Sequence, residues 1–378
     1  MLILAINPGS TSTKLSIFSD ARETHTGTII HPTEELSAFA SIAGQYEMRL
    51  AAVHAFLAES GVDAEAFSAV IGRGGLLRPV ESGVYSVNEK MRDDLLSGRY
   101  GEHASNLGGL LAERVACGRC PAFIADPVVV DELAPEARLS GIPEIPRRSV
   151  FHALNQKSAA REACLRRGLR YEEADLIVAH LGGGVSVGAH RQGRVVDVNN
   201  ALDGDGPFSP ERSGTLPAGQ LLTLALSGEK SEAHLRRLLT GGGGLVSYCG
   251  TNSLRELRNV IAQGQAGALP PASAGASGGT FSAPDAGSPA TVAEAAIAAM
   301  VYQIAQEIAK HGATLLGAVD LVVLTGGMAH DHELVESISR RVAYLAPIEV
   351  IPGEREMESL AAAATRALRG EQEVREYQ

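Results

Sequence analysis

Two stretches of this chain, LILAINPGSTSTKLSIF (Leu2–Phe18) and LIVAHLGGGVSVGAH (Leu176–His190), are built alike. Each is an apolar run of strand length that breaks into a tight Gly/Ser/Thr turn and returns as a second alternating strand. Such a hairpin offers backbone N–H groups and hydroxyls at its tip, a chemistry that suits phosphate. Two such hairpins, well separated along the chain, predict two related domains closing over a nucleotide.

The rest of the sequence alternates strands with helices, which implies an α/β architecture with covered sheets. Helical patterning runs from Glu34 to Glu59, and Phe67–Ile71 reads as a buried strand ending in Gly72-Arg73-Gly74-Gly75. A loop from Tyr100 enters a helix ending at Cys117, and Ala122–Val130 reads as a further buried strand. The Pro-rich polar stretch ARLSGIPEIPRRS then separates the halves, before a helix over Ser149–Arg167. The boundary therefore falls near residue 148, giving an N-terminal domain of residues 1–148 and a C-terminal domain of 149–356. In the second half, Ala290–Leu316 is a long helical pattern, followed by the strand Val319–Leu324 and the turn Thr325-Gly326-Gly327-Met328. Between Gly264 and Ala290, 22 of 27 residues are Gly, Ala, Ser or Pro, which predicts a flexible surface insertion without its own core. An Ala-rich terminal helix over about residues 357–378 is expected to pack back on the first domain.

Composition removes several classes of function. A chain of 378 residues can bury two cores, and aromatics at 4% with no Trp leave those cores to Ala, Val, Leu and Ile. A formal charge of −11 argues against a nucleic-acid surface. No apolar run reaches the roughly 20 residues of a membrane span, and the apolar opening lacks the basic leader of a signal peptide. Four cysteines in a chain this long fit a reducing cytoplasm. Cys117-Gly-Arg-Cys120 has no second pair at zinc-ribbon spacing and reads as two thiols at a helix end. His330-Asp331-His332 reads as solvated polar residues past a turn.

The chemistry-bearing residues cluster at the turns. In Asn7-Pro8-Gly9-Ser10-Thr11-Ser12-Thr13-Lys14, Gly permits the turn, Ser and Thr add hydroxyls, and Lys14 can hold a phosphate charge. Asn7 can bond a hydrated Mg²⁺ or a phosphate oxygen. An ordinary polar turn between strands would look the same. No GxxxxGK[ST] motif occurs, so a phosphate site must be of the hairpin kind. His180 ends a buried strand ahead of Gly182, Gly183 and Gly184, which allow backbone to approach a ligand closely. Arg73 and Arg212 lie in Gly/Pro-rich loops and are candidate anion clamps, since a planar guanidinium grips carboxylate or phosphate with two prongs. Asp126 precedes Pro127 at a strand end, as a metal- or phosphate-side carboxylate or a turn cap. Gly326-Gly327 can let a nucleoside lie against backbone, or can simply join strand to helix.

In combination and in order, INPGSTSTKL, GRGGLLRPVESGVY, GEHASNLGG, AHLGGGVSV, ERSGTLP, GGGGLVSYCGTNSLRE, VLTGGMA and PGEREMESLA resemble the acetate and butyrate kinase family, more closely its butyrate kinase branch. The resemblance covers nearly the whole chain apart from residues 264–290. It implies two duplicated α/β domains of the actin, hsp70 and sugar-kinase superfold, a nucleotide cleft between them, and a homodimer. It implies reversible phosphoryl transfer from Mg·ATP to a short carboxylate, giving ADP and an acyl phosphate. By that resemblance Asn7, Ser10, Ser12 and Lys14 fall at the phosphate and Mg²⁺ end, and His103 and His180 match the family's two histidines. Arg73 and Arg212 match its active-site arginines, Asp126 its catalytic aspartate, and Glu356 its Mg²⁺-linked glutamate, with Glu354 exchangeable by a slip in register. Gly182, Gly183, Gly184, Arg255, Gly326 and Gly327 fall at the nucleotide.

Related butyrate kinases generally carry Asp where this chain has Ser253, which bears on the nucleoside end. Gly74 and Gly75 follow Arg73 where acetate kinases generally have bulkier residues; if either lines the acyl pocket, the freed volume is expected to admit a four-carbon acid, the alternative being that they only permit the turn holding Arg73. Kinases of acetate, propionate or a branched acid are the alternatives. A non-enzymatic nucleotide switch on the same superfold is a third, but it would need no second anion site.

Overall fold

The computed structural model describes residues 1–263 and 288–378, and the chain divides into two compact units. The first comprises Met1–Glu132, Ala153–Ser158 and Arg355–Gln378; the second comprises Leu133–His152 and Ala159–Glu354.

In the first unit, strands β1 (Leu2–Pro8), β2 (Ser12–Ser19), β3 (Arg22–Ile30), β4 (Ala69–Arg73), β5 (Val84–Ser86), β6 (Ala122–Ala125) and β12 (Val374–Glu376) form one sheet. Its order is β12-β5-β6-β4-β1-β2-β3. β1, β2 and β3 are an antiparallel meander, and β4 and β6 run parallel to β1. Alternation along β1 sends Ile3 and Ala5 to one face and Leu4 and Ile6 to the other, so both faces need cover. Helices α1 (Thr33–Ser37), α2 (Tyr46–Ser60), α3 (Glu89–Ser97) and α4 (Asn106–Ala116) belong to this unit, and Leu50, Val53, Phe56, Leu107 and Leu111 pack on Leu4 and Ile6. The opposite face is covered by α12 (Glu356–Leu368), whose Leu360, Ala361, Ala363 and Ala364 meet Ile3, Ala5 and Ile71.

The second unit repeats the plan. Strands β7 (Asp175–Leu181), β8 (Val185–Arg191), β9 (Arg194–Val198), β10 (Leu321–Gly326) and β11 (Ile348–Pro352) are ordered β11-β10-β7-β8-β9. Again a meander opens the sheet, and β10 and β11 add in parallel. Ala159, Ala160 and Ala163 of α5 (Ala153–Arg167) cover Leu176 and Val178 on one face. The other face is covered by α10 (Pro289–Thr314) and α11 (His332–Val342), with α6 (Ala218–Leu226), α7 (Glu232–Thr240), α8 (Gly244–Cys249) and α9 (Leu254–Gln263) completing the unit. α10 presents Ala293, Ile297, Met300, Ile304 and Ile308 at helical spacing to β7 and β8.

Several sequence-based boundaries move. The pattern over Glu34–Glu59 splits into α1 and α2, and between them the Ser41 hydroxyl accepts from Gly44 N at 3.2 Å in a local turn. The strand expected to reach Val130 stops at Ala125, where Asp126 adopts a φ of 38° and Pro127 follows. The terminal helix does not run to residue 378: it ends at Leu368, Gly370 turns at a φ of 69°, and β12 pairs in parallel with β5. Of the expected insertion, residues 264–287 lie outside the described residues. Ser288 and Pro289 instead cap and open α10, the Ser288 hydroxyl accepting from Thr291 N.

Candidate active site

The parallel strands β1, β4 and β6 of the first unit each end on a candidate residue, at the strand ends where open α/β sheets take their ligands. Asn7 lies in β1, Arg73 closes β4, and Asp126 follows β6. Asn7 and Arg73 converge on Glu356, the first residue of α12. The Asn7 amide donates to Glu356 Oε2 at 2.5 Å, and Arg73 Nη1 lies 2.9 Å from Glu356 Oε1. Arg73 Nη1 also stands 3.5 Å from Asn7 Oδ1. Glu354, the other candidate, is exposed two residues earlier.

Glycines set Arg73 in place. A Cβ on Gly72 would stand 2.0 Å from Gly108 O, and one on Gly108 would stand 2.3 Å from Arg73 O. Only hydrogen at both sites lets α4 lie directly against the end of β4. Gly74 and Gly75 serve packing too, which corrects the expectation that they free space for an acyl chain. A Cβ on Gly74 would stand 2.6 Å from Pro127 Cβ, and one on Gly75 2.5 Å from Asn106 Cα. The volume saved is filled by protein.

Asp126 spends Oδ1 on Ser82 Oγ at 2.6 Å and Gly83 N at 2.9 Å, pinning the segment before β5. His103 sits exposed ahead of α4, its Nδ1 accepting from Ser105 N and meeting Ser105 Oγ at 2.8 Å. Ser10 is exposed at the β1–β2 tip and Ser12 half-buried at the start of β2. Lys14 is exposed and pairs with Asn7 across the hairpin, so the two side chains share the α12 face.

In the second unit His180 is buried near the end of β7. Its ring stacks on His152 with centroids 3.8 Å apart and an angle of 11°, and His152 Nδ1 meets Ser186 Oγ of β8 at 3.0 Å. His152 was not a sequence candidate. Its only signal is a histidine placed directly before α5. Two of the three glycines, Gly182 and Gly184, make room for neighbouring side chains. A Cβ on Gly182 would stand 2.9 Å from His180 Nε2, and one on Gly184 would collide with Arg212 Nη1 at 1.9 Å. Arg212 Nη1 donates to Ala201 O, while its Nε is buried with no partner among the described residues. Burial pushes the Arg212 guanidinium below its ordinary range, although Glu211 beside it works the other way. The loop is closed by Ser209, whose hydroxyl donates to Gly183 O and accepts from Arg212 N.

Gly183 and Gly327 are exposed, whereas Gly326 is buried with a φ of 90° against Leu181. Arg255 is exposed on the first turn of α9. One turn later Arg258 pairs with Asp331 at 3.3 Å and Glu333 at 2.6 Å, joining α9 to α11. Asp331 also caps α11 through Leu334 N, so the His-Asp-His motif has a structural use. No cluster of three or more His, Cys, Asp or Glu able to hold a metal occurs among the described residues. The four cysteines are free, and no described helix is long and apolar enough to cross a membrane.

The chain is 44% identical over 376 residues to Butyrate kinase 2 of Clostridium acetobutylicum, covering 99% of both sequences. The chain belongs to the acetokinase family. The sequence profile of that family also matches residues 142–270. Membership makes the chain a carboxylate kinase. Solved structures carry the same fold at low identity. Acetate kinase of Porphyromonas gingivalis superposes with a TM-score of 0.75 at 16% identity, over 96% of this chain and 99% of that one. A propionate kinase of Francisella tularensis gives 0.71 at 17% identity, over 95% and 98%. Both share the α/β architecture of this chain.

Proposed function

We propose that this acetokinase-family chain is a butyrate kinase, passing a phosphoryl group between Mg·ATP and butyrate, or a similar short carboxylate, to give the acyl phosphate and ADP. The end-to-end 44% identity to a butyrate kinase carries the reading. The Asn7–Arg73–Glu356 cluster supports it.

A carboxylate acceptor is already ionised at neutral pH, so it needs no general base. The obstacle is the approach of one anion to another, and the remedy is alignment plus positive charge on a metaphosphate-like transition state. Arg73 and Arg212 are the side chains for that task, with His180 and its stacked partner His152 as donors. Asn7 and Glu356 offer an amide and a carboxylate, a donor set that fits Mg²⁺, which keeps several waters and takes one or two carboxylates beside phosphate oxygens. When bound, the ion would neutralise phosphate charge. Ser10, Ser12 and Lys14 serve the phosphates, and Asp126 and His103 hold the loops around Arg73. Gly183, Gly327 and Arg255 are the exposed groups assigned to the nucleotide, which Gly182, Gly184 and Gly326 serve through backbone shape.

Helix α6 has no buried residue and leaves Leu222 and Leu226 exposed, which supports a homodimer; light scattering tests it. The free cysteines support a reducing cytoplasm. Trapping the acyl phosphate with hydroxylamine, with acetate, propionate, butyrate or isobutyrate beside Mg·ATP, tests the substrate. Two further methylenes at about 0.8 kcal/mol each give butyrate a roughly 15-fold advantage in kcat/KM over acetate. Equal or better values for acetate contradict the assignment.

A further inference from the structure

Behind the β1–β2 tip lies a guanidinium with no counter-ion among the described residues. Arg49, on α2, is 0% exposed. Its Nε and Nη2 donate to Gln45 Oε1 at 3.1 and 3.0 Å. Its Nη1 donates to Ser12 O at 2.9 Å and Thr13 Oγ1 at 3.1 Å, and Nη2 to Ser10 O at 3.3 Å. Every one of these acceptors is neutral, and no carboxylate pairs with Arg49 among the described residues. A buried, unpaired cation is an unfavourable thing to maintain for structure alone. An anion at the tip would supply the missing charge.

We propose that Arg49 is the positioning residue that makes the β1–β2 tip an anion site, holding the backbone in its donor-outward form and placing a fixed positive charge behind it. This rests on the reading that the tip holds phosphate of Mg·ATP. The geometry gives it two levers. First, Arg49 grips the carbonyls of Ser10 and Ser12, one on each side of Thr11, while Gly9 N also donates to Ser12 O at 2.8 Å. In a trans peptide the C=O and the following N–H point opposite ways. Drawing the Ser10 carbonyl inward therefore turns the Thr11 N–H outward, at a tip where Ser10 and Thr11 are both exposed. Second, the charge is rigid and desolvated, so it acts on the tip with little screening.

Neighbouring groups keep the arrangement in one state. The Thr13 hydroxyl accepts from Arg49 and so is free to donate to His31 Nε2, 2.8 Å away. Burial first, and the Arg49 charge second, hold His31 below its ordinary range, which keeps its ring neutral as that acceptor. His31 N in turn donates to Thr11 O at 2.8 Å.

The test uses full-length Arg49→Met and Arg49→Lys proteins. Mg·ATP affinity is read from the ligand-induced rise in melting temperature without any acid present, and the KM values for Mg·ATP and for butyrate are read by hydroxylamine trapping. The proposal expects Mg·ATP affinity to fall roughly tenfold or more in Arg49→Met and less in Arg49→Lys, with the butyrate KM nearly unchanged. A folded Arg49→Met protein with wild-type Mg·ATP affinity overturns it, as does an equal rise in both KM values. If Arg49→Met does not fold, Arg49→Lys decides in the same way. Loss of the Mg·ATP-induced shift in the variants upholds the proposal even if the wild-type protein phosphorylates no carboxylate, in which case only the kinase reading fails.

Discussion

The two hairpins start from one plan and are finished in opposite ways. Each opens a sheet of the same order, β3-β2-β1-β4-β6 in the first unit and β9-β8-β7-β10-β11 in the second. In the first, the tip is made of hydroxyl-bearing residues and the cation, Arg49, is buried behind it. In the second, the tip is glycine, and the cation, Arg212, lies against the glycines themselves. The group behind that second hairpin is a neutral imidazole: His311 Nε2 donates to Val187 O of β8. A duplicated scaffold thus supplies a hairpin twice, and the chemistry is decided by which side of it receives the charge.

The largest expected effect removes Arg73 or Arg212. Arg73→Ala and Arg212→Ala should each lower kcat by about 10²-fold, on the order of 3 kcal/mol, while Mg·ATP binding changes far less. Near-normal turnover of both folded variants would take them out of the mechanism. The next prediction sets one hairpin against the other. Gly184→Ala puts a methyl group into the Arg212 guanidinium, whereas Gly9→Ala meets only Ser12 atoms at 3.5 Å. Steady-state kinetics should show a roughly 10- to 100-fold loss for Gly184→Ala and little change for Gly9→Ala. Equal tolerance at both sites would break the contrast.

The third prediction concerns the group behind the second hairpin. His311 is fully buried, and that burial lowers its pKa from 6.5 to about 4, although Asp197, 3.8 Å away, opposes the shift. The unfolded chain then binds the extra proton between those two values, so stability is intact above pH 6.5 and declines as pH falls towards about 4. Replacing His311 with Gln should flatten that stretch of the stability–pH curve by on the order of 3 kcal/mol, measured by urea unfolding. An unchanged slope would assign the acid sensitivity to other groups. The smallest effect is at Gly74. Gly74→Ala should cost about 1–2 kcal/mol of stability through overpacking against Pro127, with the ratio of butyrate to acetate turnover unchanged. A shifted ratio would restore these glycines to the acyl pocket.

Much of this was legible in the sequence, because hairpins, strand ends and glycine turns are local signals. Asn7 and Arg73 stood out in their turns and Glu356 came only with the family resemblance, yet their meeting could not be read from spacing, since Glu356 arrives 349 residues after Asn7. The role of Gly74 and Gly75 was misread for a related reason. A glycine in sequence says that a side chain is missing, but only the fold shows whether ligand space or Pro127 and Asn106 fill the gap. Arg49 and His152 were invisible for the opposite cause: each sits in or beside an ordinary helix, and what distinguishes them is a partner from elsewhere in the chain. The break between α1 and α2 holds a serine hydroxyl bonded to backbone, a competition that helical periodicity does not register.

The central claim, phosphoryl transfer to a four-carbon carboxylate, is tested most directly in the reverse direction. Butyryl phosphate or acetyl phosphate is supplied with Mg·ADP, and ATP formation is followed to give kcat/KM for each. The assignment predicts ATP from both, with butyryl phosphate preferred by roughly the same 15-fold as in the forward direction. No ATP from butyryl phosphate, or a preference for acetyl phosphate, would contradict it.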